Sequence, residues 1–147
     1  MKKNALSLFL LLLTPLFGQV VINEYSASNL SWYTDNYQME EDWIELYNTG
    51  NTDEDIGGYF LSDDPDEPTK WLIPGGTIIS ADGYIVFWCS GRDEYSDNNY
   101  HTNFKLKQTK NNPDHVVFSD PYGYIIDDFE ILKTQLNHSM GRSPNGS

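Results

Sequence analysis

The sequence predicts an all-β domain, a two-sheet sandwich or a small barrel, on three observations. Short apolar or alternating runs recur every eight to twelve residues, separated by clusters of Gly, Pro, Asn and Asp. No stretch keeps apolar residues at three- and four-residue spacing for the length a helix requires. Aromatics make up 14% of the 147 residues, with 4 Trp, 10 Tyr and 7 Phe. That much apolar surface excludes a disordered acidic tail, which lacks the area needed to offset chain entropy. The length allows one domain, and neither an internal repeat nor a composition shift marks a second.

Residues 20–25 open the fold as a strand, β-branched at its front. Residues 26–41, rich in Ser, Asn and Asp, form a long loop that carries Trp32, Tyr33 and Tyr37. Residues 43–47 alternate, placing Ile44 and Leu46 on the core face and Trp43, Glu45 and Tyr47 on the other. Residues 48–51 are turn chemistry, and 59–61 are a short strand closed by the turn 62–65. Residues 70–73 form a further strand, stopped where Pro74 has no amide hydrogen for the ladder. Residues 77–79 lead through the turn 81–83 into the most apolar strand, 84–88. Gly58 and Gly83 sit where the chain reverses and a Cβ is costly. Residues 103–106, 115–118 and 124–126 complete the set of strands, with a turn at 121–123. Trp71 and Trp88 are the large core fillers, each able to bury roughly 150–250 Å².

Residues 1–18 read as a signal peptide rather than part of the fold. Lys2 and Lys3 precede an apolar run over 5–17. As a helix that run spans about 20 Å, short of the roughly 30 Å of a hydrocarbon core. Gly18 is the small residue expected at a cleavage site before Gln19. The chain is therefore expected to be secreted or held at a cell surface, with no transmembrane segment once the leader is removed. The one cysteine, Cys89, lies far from the cut, which excludes a lipoprotein anchor, a disulfide framework and a thiolate zinc site. Cys89 continues an apolar run and reads as a buried small hydrophobe. Cleavage changes the net charge from −13 to −15 by removing the two lysines.

Several blocks resemble the lamin tail domain family. They are Val21-Ile22-Asn23-Glu24, then residues 42–48, 56–63 and 70–74, the run 78–91, residues 101–106 and the late segment 141–146. The resemblance implies an immunoglobulin-like β-sandwich over residues 19–147, with Ile44, Leu46, Gly58, Trp71, Pro74, Gly83 and Trp88 as its pattern residues. It is to the secreted bacterial branch, whose members often lie beside a CotH-like kinase domain. Relatives usually continue past the Gly-Arg-x-Pro-x-Gly segment, so the chain is expected to be truncated at its C-terminal end, with an unpaired sheet edge. Asn111-Asn112-Pro113 stands where relatives have a Gly turn.

Motif chemistry is sparse. Asp63, Asp64 and Asp66 offer oxygens for Ca²⁺, but their spacing departs from the EF-hand loop, and Asp and Pro are ordinary turn formers. Asp127, Asp128 and Glu130 read as the outer face of a strand. Glu24 and Glu45 could act as paired carboxylates, yet the sequence gives them ordinary outward strand positions. His101, His115 and His138 are scattered, and neither a Gly-x-Ser-x-Gly elbow, a phosphate-cradling loop nor a His-Glu-x-x-His helix occurs. Lys105, Lys107 and Lys110 are the only basic stretch, and against the acidic total they do not make a nucleic-acid site. Trp32, Tyr33, Tyr37, Tyr95 and Tyr100 lie in the two long loops, either as platforms for sugar or protein or as plugs against the sandwich.

The function expected is a non-catalytic extracellular recognition or spacer module of a larger secreted or surface protein. Its partner is expected to be protein or carbohydrate, with no nucleic acid and no required cofactor. Two alternatives stay open. One is the accessory domain of an exported enzyme, a CotH-like kinase or hydrolase, and the other is a Ca-dependent carbohydrate-binding module.

Overall fold

The computed structural model describes residues 20–109 and 111–147, so the predicted signal peptide and Lys110 lie outside the described residues. The described chain forms twelve strands and no α-helix. They are β1 (Val20–Ser26), β2 (Trp43–Asn48), β3 (Glu54–Asp55), β4 (Phe60–Ser62), β5 (Trp71–Leu72) and β6 (Ile78–Ile79). Then come β7 (Tyr84–Trp88), β8 (Glu94–Ser96), β9 (Asn99–His101), β10 (His115–Ser119), β11 (Ile125–Glu130) and β12 (Met140–Gly141).

A six-stranded sheet runs β12-β1-β2-β7-β9-β8, a four-stranded sheet runs β11-β10-β4-β5, and β3 pairs with β6. All pairs are antiparallel except β7 with β9. The two larger sheets bury a shared core. Ile22, Ile44, Leu46 and Phe87 come from the first, and Leu61, Trp71, Val116 and Phe118 from the second. Trp71 meets Phe87 edge to face at 5.9 Å between centroids, and Tyr59 stacks on Phe118 at 5.5 Å. The architecture is the all-β sandwich that alternation and turn chemistry predict, of the immunoglobulin-like kind that the family resemblance implies.

Two turns need their glycines. Gly58 takes φ +89°, and a Cβ on Gly83 would stand 2.7 Å from the Ser80 carbonyl oxygen. Asn112, where a glycine turn was expected, takes φ 61°, a left-handed conformation Asn tolerates.

A bulge in β1 positions the site. Ile22 pairs with Leu46, and Glu24 with Glu45, so Asn23 is an extra residue. The strict alternation that sends Val20 and Ile22 inward would send Glu24 inward too. The bulge resets it, so Tyr25 and Ala27 join the core and Glu24 turns outward.

Three sequence expectations are corrected. Residues 103–106 are irregular, because Thr102 Oγ1 donates to the Phe104 carbonyl instead of a ladder forming, although Phe104 and Leu106 are buried. Trp88 is buried as expected, at 8% exposure, but outside the cluster between the sheets. It shares its face of β7 with Tyr84 and Val86, opposite the core residue Phe87. Asp127 is not a solvated outer residue. Arg142 Nη2 donates to both its oxygens at 3.0 and 2.8 Å, and the Ile22 amide donates to it at 2.9 Å. Arg142 Nε also reaches the Ile22 carbonyl at 2.8 Å, so the group ties β11 to β1.

Candidate functional site: an aromatic cleft on the outer sheet face

The face of the six-stranded sheet that turns away from the core carries three cross-strand rows. Ser26, Trp43 and Trp88 align in one, Glu24, Glu45 and Val86 in the next, and Tyr47 with Tyr84 in the third. Tyr47 and Tyr84 stack at 4.5 Å. Over this floor lies a cleft of about 470 Å³, walled by Trp32, Tyr33, Asn29, Asn98, Asn99, Asn137 and Ser139. Among the described residues no Lys, Arg or His lines it.

The wall is built by the loop after β1. Asn29 is its hub. Its side-chain amide donates to the Tyr33 and Glu41 carbonyls at 2.8 Å each, and its Oδ1 accepts the amides of Trp32 and Tyr33 at 3.2 and 3.3 Å. Its own amide donates to Asp42 Oδ1 at 2.9 Å. Burial pushes the Asp42 carboxyl up to about 6, against the opposing pull of that amide. These bonds set Tyr33 edge to face on Trp43 at 6.0 Å, with Trp32 beside it at 6.3 Å. Trp32 and Tyr33 remain 70% and 55% exposed, whereas Trp43 and Trp88 beneath are 7% and 8% exposed. The opposite wall is the β8–β9 hairpin. Asp97 and Asn98 both have positive φ, the requirement of a two-residue type I′ turn. The hairpin delivers Asn99 Oδ1 to the Trp88 indole N–H at 2.9 Å.

Glu24 and Glu45 lie side by side on the floor. Glu45 Oε1 accepts Asn23 Nδ2 at 2.8 Å, and Glu24 Oε1 accepts the Ser139 hydroxyl. Burial raises the Glu45 pKa, the Asn23 bond opposes the rise, and the charge of Glu24 adds to it. The second oxygen of each carboxylate has no protein hydrogen-bond partner among the described residues.

Of the five aromatics expected in loops, Tyr95 and Tyr100 instead lie in β8 and β9, and the structure brings only Trp32 and Tyr33 to the cleft. Tyr37 packs 5.6 Å from His101 and under the Arg92 guanidinium at 4.7 Å. Tyr95 stacks on Tyr100 at 4.5 Å, and Tyr100 leans on Phe87 at 5.3 Å. Tyr37 and Tyr95 stay 45% and 52% exposed, away from the cleft. His101 is fully buried, bonded through Nδ1 to Ser90 Oγ at 3.0 Å and through Nε2 to Asn36 Oδ1 at 2.8 Å. Burial lowers its pKa. Neither Tyr37 nor His101 lines the cleft, and together with Asn36 they fasten the long loop to β9. Cys89 is buried, and desolvation drives its thiol well above the ordinary range, which leaves it inert.

Asp63, Asp64 and Asp66 form a turn. Lys70 Nζ sits 2.6 Å from Asp63, Asp64 Oδ1 accepts the Asp66 amide, and the Asp64 carbonyl accepts the Glu67 amide. Among the described residues no group of three acidic, His or Cys side chains is arranged to hold a metal. Lys105 bonds Glu41 at 3.0 Å.

Sequence reasoning missed Trp88, Asn29, Asn99 and Ser139 as cleft residues. The Asp97-Asn98 pair was a legible turn signal for the hairpin that carries Asn99. The outward row of Trp43, Glu45 and Tyr47 was also visible in the alternation of β2.

A family model described as Lamin Tail Domain matches residues 15–133, which include every strand of the sandwich except β12. The match begins within the predicted signal peptide and stops before the 141–146 block. No curated protein matches the chain. The sandwich, its turn glycines and this match over more than half of the sequence place the chain in the lamin tail domain family, a family of immunoglobulin-like, non-catalytic domains.

Proposed function

We propose that this protein is an exported, non-catalytic recognition module, which holds its ligand in the outer-face cleft on behalf of a larger secreted or cell-surface protein. The observation that carries the reading is the cleft itself. A sheet face without a covering layer is ordinarily polar, yet this one gathers Trp32, Tyr33, Trp43, Trp88 and Tyr84 around two carboxylates. An apolar patch rimmed by polar residues is the kind of surface that takes a ligand. The signal-peptide pattern of residues 1–18 and the acidic surface support an extracellular setting.

The test is a titration followed by tryptophan emission. The protein is challenged in turn with neutral oligosaccharides, peptides and small organic ions. At least one class is expected to shift the emission of the native protein saturably and to lose that effect in Trp32→Ala. If no class does so, or if Trp32→Ala responds undiminished, the cleft is not the recognition site.

A further inference from the structure

Resting on that reading, the geometry points to an organic cation as the ligand, a small alkylated ammonium seated between the aromatic walls and against Glu24 and Glu45.

The charge of the cleft favours a ligand that carries positive charge. The Asn29, Asn99 and Asn137 amides donate to protein acceptors, and the Trp88 indole N–H to Asn99. What the cleft offers beyond neutral amides and indoles is negative charge, which a neutral sugar leaves unmatched. The two glutamates, by contrast, each spend one oxygen on the protein and keep the other, and among the described residues no cation lines the cleft to neutralise them. Two carboxylates side by side repel each other, and a cation between them relieves that repulsion.

The walls supply the complementary half. An ammonium with alkyl substituents is attracted to the π-faces of Trp and Tyr, and it loses less hydration on entry than a bare ammonium. Trp32 and Tyr33 present their rings over half exposed, above the Trp43–Trp88 floor. A cleft of about 470 Å³ accommodates such a small group. The net charge of −13 adds long-range attraction for cations and repels anions. Among the described residues an anionic ligand would meet no positive side chain in the cleft.

The probe is choline, compared with dimethylbutanol, its uncharged carbon isostere of the same shape, and with a neutral cello-oligosaccharide. Binding to the whole chain is read by tryptophan emission and calorimetry. Choline is expected to bind saturably, more weakly as salt rises, and at least about ten-fold more tightly than the isostere. Glu45→Gln and Glu24→Gln, which keep an oxygen for Asn23 and Ser139, are each expected to weaken choline about ten-fold. An unchanged urea midpoint shows that these variants remain folded. Equal binding of choline and its isostere, or undiminished binding in both Gln variants, overturns the proposal. A cello-oligosaccharide response without a choline response overturns it while leaving the recognition reading intact. Silence to all three probes overturns the proposal, and the broader panel then decides the recognition reading separately.

Discussion

The two faces of the six-stranded sheet are made from the same strands but do opposite things. On the inner face, Ile22, Ile44, Leu46 and Phe87 are buried against the second sheet. On the outer face, one residue along each strand, Trp43, Trp88, Glu24 and Glu45 line a cleft. The difference teaches that hydrophobicity alone does not assign a residue to the core. Tryptophan fills both faces, Trp71 packing on Phe87 inside and Trp43 beside Trp88 outside. What separates them is strand parity, and in β1 parity is set by one extra residue, Asn23.

The contrast breaks most visibly in stability. Phe87→Ala empties the centre of the inner face and is expected to cost about 3–5 kcal/mol in urea unfolding, the range for a fully buried Phe. A cost below about 1 kcal/mol would show that the inner face is not the structural one. Arg142→Ala removes the clamp on Asp127 and is expected to cost roughly 2 kcal/mol, since a largely buried carboxylate loses the cation that donates to both its oxygens. Arg142→Lys should recover only part, because an ammonium cannot reproduce the planar fork.

Acidity offers a third probe. Asp42 has a folded pKa of about 6 against an ordinary 3.8, so the folded state binds its proton more tightly than the unfolded chain. Its contribution is therefore fully favourable below about pH 4 and is lost as pH rises through 6. Asp42→Asn keeps an acceptor for Asn29 and removes the titration. Its stability relative to the native protein should improve as pH rises from 4 to 7, and a flat difference would contradict the assigned burial. The smallest effect belongs to the outer wall. Trp32→Ala is expected to leave stability within about 0.5 kcal/mol, because its ring is 70% exposed, while abolishing ligand response.

Much of this was legible in the sequence, for physical reasons that also explain the misses. Ile44 and Leu46 lie in a strand that alternates without interruption, so period two alone predicts their shared face. Gly58 and Gly83 lie in turns where a side chain is strained or blocked, and turn chemistry is local. Trp88 was misassigned because all five residues of β7 are apolar, which erases the alternation that would have given its face. Asn29 could not be found, since its role comes from four bonds inside an irregular loop. The pairing of Glu24 with Glu45 needs the bulge, and nothing in the local pattern of residues 20–25 marks Asn23 as the inserted residue. The site depends on long-range register; the core depends mainly on local period.

The four tryptophans provide the most direct test, because three lie on the outer face or its wall and one lies inside. Their indole N–H resonances can be followed by NMR while choline is added. The account predicts that those of Trp32, Trp43 and Trp88 move together and saturate, while that of Trp71, donating to Asp93 at 3.0 Å, stays in place. Movement of Trp71 with the rest, or stillness of all four at saturating ligand, would contradict it.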